Sequence, residues 1–267
     1  ALPHRRQALL AGLASLAVPG TALSQNDTLP LRLNGRLMQG GAAVGQTAPG
    51  ATVFVDGEAV GQASPEGWFV VGFDRDAASR VEVRVAGQGA QAARALTIQS
   101  GDFDIQRIDG LPQDQVTPTA PDLLARIREE AVRKQAGFAS RAGRTDFRQG
   151  FILPLSDFRL SGRFGGQRIL NGVPDRPHYG VDMAAPVGTP VMAPAAAEVA
   201  FAETGLHYEG GLIMLDHGQG LVSAYLHLSQ IHVRQGQSVG QGEVIAAVGA
   251  EGRATGPHLC WRMKWRD

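Results

Sequence analysis

The feature that most restricts the fold is a run of short segments in which apolar and polar residues alternate, each closed by glycine or a turn-forming polar residue. "ATVFVDG" (51–57), "GWFVVGFD" (67–74), "VEVRVAG" (81–87) and "ARALTIQ" (93–99) follow one another at roughly ten-residue spacing. Side chains on an extended strand alternate between its two faces, so a period of two bounded by turn residues predicts strands. Several such strands in close succession predict a small β-sandwich, placed here at residues 27–105. With 35 Gly, 15 Pro and 6% aromatic residues among 267, the composition suits short strands and many turns better than a helix bundle.

The pattern breaks at "IDGLPQDQVTPTAPD" (108–122). From Pro121 to about Ala142 the period becomes helical, with Leu124, Ile127, Ala131 and Phe138 on one stripe and Arg128, Glu129, Arg133 and Lys134 around the other face. Residues 106–150 therefore read as a linker carrying an amphipathic helix. From Phe151 onward the strand and turn pattern returns, with no long helical period, which predicts a second, antiparallel β domain over 151–267. The predicted fold class is mainly β.

Formal net charge is zero, which gives no global reason to expect a nucleic acid or an anionic membrane as partner. At the N-terminus, Arg5 and Arg6 precede an apolar run (8–18) and then small residues, the layout of an export signal over residues 1–24. The run is too short to span a bilayer. Export through the Sec or the twin-arginine route, to the periplasm or cell envelope, is the expectation. The single cysteine, Cys260, excludes an internal disulfide.

Residues with metal or proton chemistry gather late in the chain. "HYGVD" places His178 and Asp182 at even spacing on an extended segment, "AYLHLS" carries His227, and "TGPHLCWRM" presents His258 and Cys260 two apart, on one side of a strand. Each alone is weak: a surface ion pair explains HxxxD, and core packing explains a strand histidine or a buried cysteine. Together, with the Gly-rich "VGQGEVIAAVG" before the last of them, they are specific.

From "SGRFGG" (161–166) through "HYGVDMAAPVGTPVMAPAAAEV", "HGQGLVSAYLHLS", "VRQGQSVGQGEVIAAVG" and "TGPHL", the chain resembles the lysostaphin/LytM-type zinc metallopeptidases, which cleave peptide bonds in bacterial peptidoglycan. The resemblance implies a compact antiparallel β domain with Zn2+ in a groove and peptidoglycan stem peptides or cross-links as substrate. It implies that His178 and Asp182 are zinc ligands and that His227 and His258 are catalytic. One of those two histidines takes a proton from water and the other hydrogen-bonds the developing oxyanion, with His258 as the base. The family's third ligand, the second histidine of a terminal HxH, is here Cys260. A thiolate is a competent zinc ligand, at about 2.3 Å against about 2.0–2.1 Å for imidazole. Counted over the ligands alone it adds a negative charge, and a less positive site acidifies water less. The expectation is therefore zinc retained but slower hydrolysis, or a raised pH optimum.

Two other functions fit the residues. One is a non-catalytic relative that binds peptidoglycan or regulates other wall hydrolases. The other makes Cys260 a nucleophile with a histidine base. The first domain has no cluster of His, Asp or Glu, so its role is binding or spacing, with an envelope protein as a candidate partner. His207 and His217 flank a strand near turns and, like His232 and His4, carry no expected role in the site. Trp261 and Trp265 are expected to pack the last strand.

Overall fold

The computed structural model describes residues 28–266, so the expected export signal at 1–24 lies outside the described residues. The chain is mainly β, as its alternation predicts. Seven strands come first: β1 (Arg32–Gly35), β2 (Ala42–Gln46), β3 (Thr52–Val55), β4 (Glu58–Gln62), β5 (Trp68–Gly72), β6 (Arg80–Gly87) and β7 (Ala90–Thr97). They form a three-stranded sheet, β1-β2-β5, and a four-stranded sheet, β4-β3-β6-β7. In β6, Val81, Val83 and Val85 point inward while Glu82 faces out, and they share a core with Phe69, Val71 and Leu96. Val70, of opposite parity in β5, is also buried, against Phe147 and Leu221. The continuous apolar run "WFVV" is thus explained by a strand covered on both faces. Trp265, near the C-terminus, packs on both clusters and ties the sandwich to the rest of the chain.

The connecting segment is more structured than a linker. Strand β8 (Ile105–Ile108) pairs in parallel with β10 (Gln167–Leu170), and a short turn of helix, α1 (Gln113–Val116), follows. The partner strand is remote in sequence, so local pattern alone could not reveal the pairing. Helix α2 (Pro121–Phe138) starts with Pro at its first turn and Asp122 beside it, which suits the positive end of the helix dipole. It stops short of the predicted Ala142, whose N–H instead donates to Asp216 Oδ2 at 2.7 Å.

The inward stripe of α2 also differs from the apolar one expected. Ala131 is exposed, whereas Glu130 and Gly137 are the buried positions. Glu130 accepts from Arg126 Nε at 2.7 Å and from the His207 backbone N–H at 2.9 Å, and Lys134 donates to Glu209 at 2.8 Å. The helix therefore docks by buried polar contacts as much as by apolar area.

The remaining strands are β9 (Arg159–Gly162), β10, β11 (Val173–Pro174), β12 (Val181–Ala184), β13 (Pro190–Met192), β14 (Ala197–Leu206), β15 (Gly210–Asp216), β16 (Leu221–Ile231), β17 (Ser238–Val239), β18 (Val244–Val248) and β19 (His258–Trp265). Nine of them form one sheet, with the path β17-β14-β15-β16-β19-β12-β9 and β18 pairing β16 and β13. One face packs a core of Val191, Val199, Ile213, Leu215, Tyr225, Ile245 and Leu259. Trp261 also packs against it. The other face carries Leu212, Met214, Leu226 and Cys260, with Phe138 of α2 against them.

Glu130→Ala should destabilise the chain by about 2 kcal/mol, because it removes the acceptor of a buried N–H. Urea unfolding at neutral pH measures this, and an unchanged midpoint would contradict the docking described for α2.

Candidate metal centre

The site is set by antiparallel pairing of β12 with β19, which places Asp182 directly opposite Cys260 and Ala184 opposite His258. Cross-strand partners project to the same face of a sheet, so carboxylate and sulfur meet although the two residues are far apart in sequence. His178 lies just before β12, and its Nε2 is 3.0 Å from Asp182 Oδ1 and 3.3 Å from Cys260 Sγ. One donor atom from each of the three residues falls within 4.8 Å of the others. Two glycines leave the room required. A Cβ at Gly162 would come 2.5 Å from Asp182 Oδ2, and one at Gly180 would come 3.0 Å from Cys260 Sγ and 2.7 Å from Arg262 Cγ.

The three groove histidines share one tautomer. His178 Nδ1 donates to Arg163 O at 3.2 Å, His227 Nδ1 to Glu251 O at 2.8 Å, and His258 Nδ1 to Gly256 O at 2.9 Å. A carbonyl can only accept, so each Nδ1 bears the proton and each neutral ring keeps a lone pair on Nε2. For His178 that lone pair faces Asp182 Oδ1, which is buried and has no hydrogen-bond partner of its own. Nitrogen, oxygen and sulfur donors thus converge on one buried point, where a cation would engage all three in place of the His178 to Cys260 hydrogen bond. This donor set fits a zinc ion.

His227 reaches the groove through an irregularity. Strict alternation would put it on the Tyr225 face of β16, within the core. Its φ is +67°, and Tyr225 and Leu228, three residues apart, both enter the same core cluster. The β15–β16 register shifts at this point. The bulge re-aims His227 so that its ring lies 4.6 Å, centroid to centroid, from that of His258. His258 Nε2 in turn lies 3.8 Å from Asp182 Oδ1.

Burial alone would raise the Asp182 carboxyl. The contact with His178 and the charge of Arg168 outweigh it and hold the group well below the usual carboxylate range. Arg168 Nη2 grips Asp182 Oδ2 at 2.9 Å. Burial, reinforced by the neighbouring His258, drives His227 down to about 3. Burial also keeps His178 below the ordinary imidazole value, against the pull of Asp182. The Cys260 thiol is pushed up to about 11, by burial against the opposing effect of Arg262. A thiol 1% exposed and held protonated is a poor free nucleophile, which counts against the cysteine-hydrolase reading. A Nε2 lone pair on His227 also makes it an acceptor. Donation to an oxyanion would require protonating a ring that burial keeps neutral.

A cavity of about 320 Å3 opens over Asp182, His227 and His258. Gln106, Ile108 and Leu111 of the connecting segment form one side of it, so the segment after the sandwich is part of the groove. His207 and His217 do not line this cavity. His207 Nε2 contacts Asp114 O at 3.1 Å, while His217 is sealed in a network with Ser223 Oγ at 2.7 Å. His232 is exposed, and His4 lies outside the described residues. Sequence reading overlooked Arg168 and Arg262. The spacing of two in "CWR" could have placed Arg262 on the face of Cys260, whereas nothing local points to Arg168.

With this geometry in hand, known proteins place the domain. Residues 176–267 match the model of Peptidase family M23, so the C-terminal part of the chain is an M23 peptidase domain. The chain is 40% identical over 111 residues to the peptidoglycan DD-endopeptidase ShyA of Vibrio cholerae, a match spanning 40% of this chain and 25% of that protein. It is 43% identical over 115 residues to the DD-carboxypeptidase/endopeptidase Mpg of Neisseria meningitidis, spanning 42% of this chain and 26% of that one. The matches thus span about a quarter of the length of these relatives. A crystal structure of a Pseudomonas aeruginosa chain assigned to peptidase M23 superposes with a TM-score of 0.65 at 29% identity, over 85% of this chain and 89% of that one. That coverage extends well beyond the M23 domain.

The acid stability of the metal-free protein tests the state of His227. Unfolded, this ring binds a proton below about 6.5; folded, it resists protonation to about 3. Between those values the unfolded state holds more protons, so stability falls as pH falls. His227→Gln removes this contribution, and its stability should decline less steeply than wild type from pH 6.5 to pH 3. Parallel curves from denaturant unfolding at several pH values would refute the assignment.

Proposed function

We propose that the chain is an exported zinc metalloendopeptidase hydrolysing peptide bonds of bacterial peptidoglycan, with His178, Asp182 and Cys260 as metal ligands. The domain layout proposed is the one read from the sequence: a signal over 1–24, a sandwich over 27–105, a linker with a helix over 106–150 and the peptidase domain over 151–267. The observation that carries the reading is the convergence of the His178, Asp182 and Cys260 donor atoms beside His227 and His258. The peptidoglycan-directed names of the relatives support the substrate class. No helix among the described residues is long and apolar enough to cross a membrane.

Zinc, when bound, supplies Lewis-acid polarisation of a carbonyl and lowers the pKa of a water. The remaining steps belong to the chain. His258, with an unprotonated Nε2 on the groove side, serves as the base. The imidazolium formed on proton transfer is countered by Asp182, 3.8 Å away, and carries an Nε2–H that it can pass to the leaving amine. His227, held neutral, orients the attacking water by accepting a hydrogen bond on Nε2. Arg168 keeps the Asp182 carboxylate ionised and fixed in rotation.

His258→Ala should keep one zinc per chain and lose about 10²–10⁴-fold in peptidoglycan cleavage. Asp182→Asn should lose the zinc itself. Metal content by atomic emission, with a muropeptide release assay on the same samples, checks both. A purified wild type that holds no zinc and cleaves nothing would overturn the proposal in favour of a non-catalytic relative.

A further inference from the structure

We propose that Arg262 is a positioning residue matched to Cys260: its guanidinium supplies the positive charge that a cysteine ligand removes from the centre. The inference rests on the reading of Cys260 as a zinc ligand.

Arg262 follows Cys260 by two in β19, so the side chains share a face. Its Nε donates to Cys260 Sγ at 3.4 Å, an N–H to sulfur contact in a partly buried setting. Space for both side chains is left by Gly180, whose missing Cβ would have met the Arg262 stem at 2.7 Å and the sulfur at 3.0 Å. Three positions, Gly180, Cys260 and Arg262, therefore form one packing unit. Nearby Glu209 is engaged by Lys134 at 2.8 Å, so this carboxylate already has its own cation.

The pairing repeats one seen on the other anionic ligand. Arg168 Nη2 meets Asp182 Oδ2 at 2.9 Å, while Asp182 Oδ1 faces His178 and His258. Each of the two ligands that can carry negative charge thus has one guanidinium against it. With neutral His178, the unit charges of Asp182, a Cys260 thiolate, Arg168 and Arg262 cancel before any metal is added. A count over the ligands alone omits both arginines. It led to the expectation that the cysteine leaves the site short of positive charge, and Arg262 removes the basis for it. A hydrogen bond to a coordinated sulfur also draws electron density from it, which leaves the metal a stronger Lewis acid.

The experiment is a four-protein cycle of wild type, Arg262→Gln, Cys260→His and the double variant, each titrated with zinc against a chromophoric chelator. The change Arg262→Gln should be about tenfold more harmful to zinc affinity when residue 260 is cysteine than when it is histidine. Cobalt(II) substituted for zinc gives the second readout. Wild type should show a thiolate-to-cobalt charge-transfer band. Arg262→Gln should move it to longer wavelength, and Arg262→Lys, which keeps the charge, should lie between the two. Equal effects of Arg262→Gln in both backgrounds with an unmoved band would overturn the role of Arg262 and leave the ligand assignment standing. A cobalt-loaded wild type without the band would remove Cys260 from the ligand set, and this inference with it.

Discussion

The structure depends on the antiparallel pairing of two short strands, Val181–Ala184 and His258–Trp265. Their register puts Asp182 opposite Cys260. A slip by one residue would turn either side chain to the other face and scatter the donors. The register is held by Leu259 and Met183, both buried in the core on the opposite side of the sheet. The hydrophobic effect on one face thus fixes the chemistry on the other.

Around that pairing the chain controls protonation through its backbone. Three carbonyls, of Arg163, Glu251 and Gly256, each accept from the Nδ1 of one histidine and so turn an Nε2 lone pair toward the groove. These carbonyls sit in loops whose shape is set by other contacts. The loop that holds His178 is an instance: Gly165 N–H donates to His178 O at 2.7 Å and His178 N–H to Gly166 O at 2.8 Å. Arg75, from the first sandwich, donates to Gly165 O at 2.6 Å and lies over the Phe103 ring. Phe103 in turn meets Phe164, and Phe164 meets Tyr179, the neighbour of His178. The N-terminal unit thereby buttresses the loop that carries a proposed ligand, and the segment leaving it forms a wall of the groove.

Much of this was legible beforehand, for local reasons. Alternation announced β6 because Val81, Val83 and Val85 need one buried face, and the same rule put His258 beside Cys260. The helix start was announced by Pro121 and Asp122. Where local rules failed, a distant contact had intervened. Helix α2 ends early because Ala142 is claimed by Asp216, and Ala131 faces solvent because Glu130 and Lys134 found partners in the turn between β14 and β15. His217, which carried no expected role, is absorbed into a buried hydrogen-bond chain with Ser223 and Tyr225.

By itself, the sequence determined the kinds of donor, their order and the strands that carry them, since side-chain chemistry and a period of two are properties of neighbouring residues. Only the tertiary structure decided that Arg168 stands against Asp182, that a bulge delivers His227 out of the core, and that residues 106–111 wall the groove. Each of these needs segments brought together from distant parts of the chain. Such encounters are selected by burial and backbone pairing over the whole fold, which no local pattern encodes.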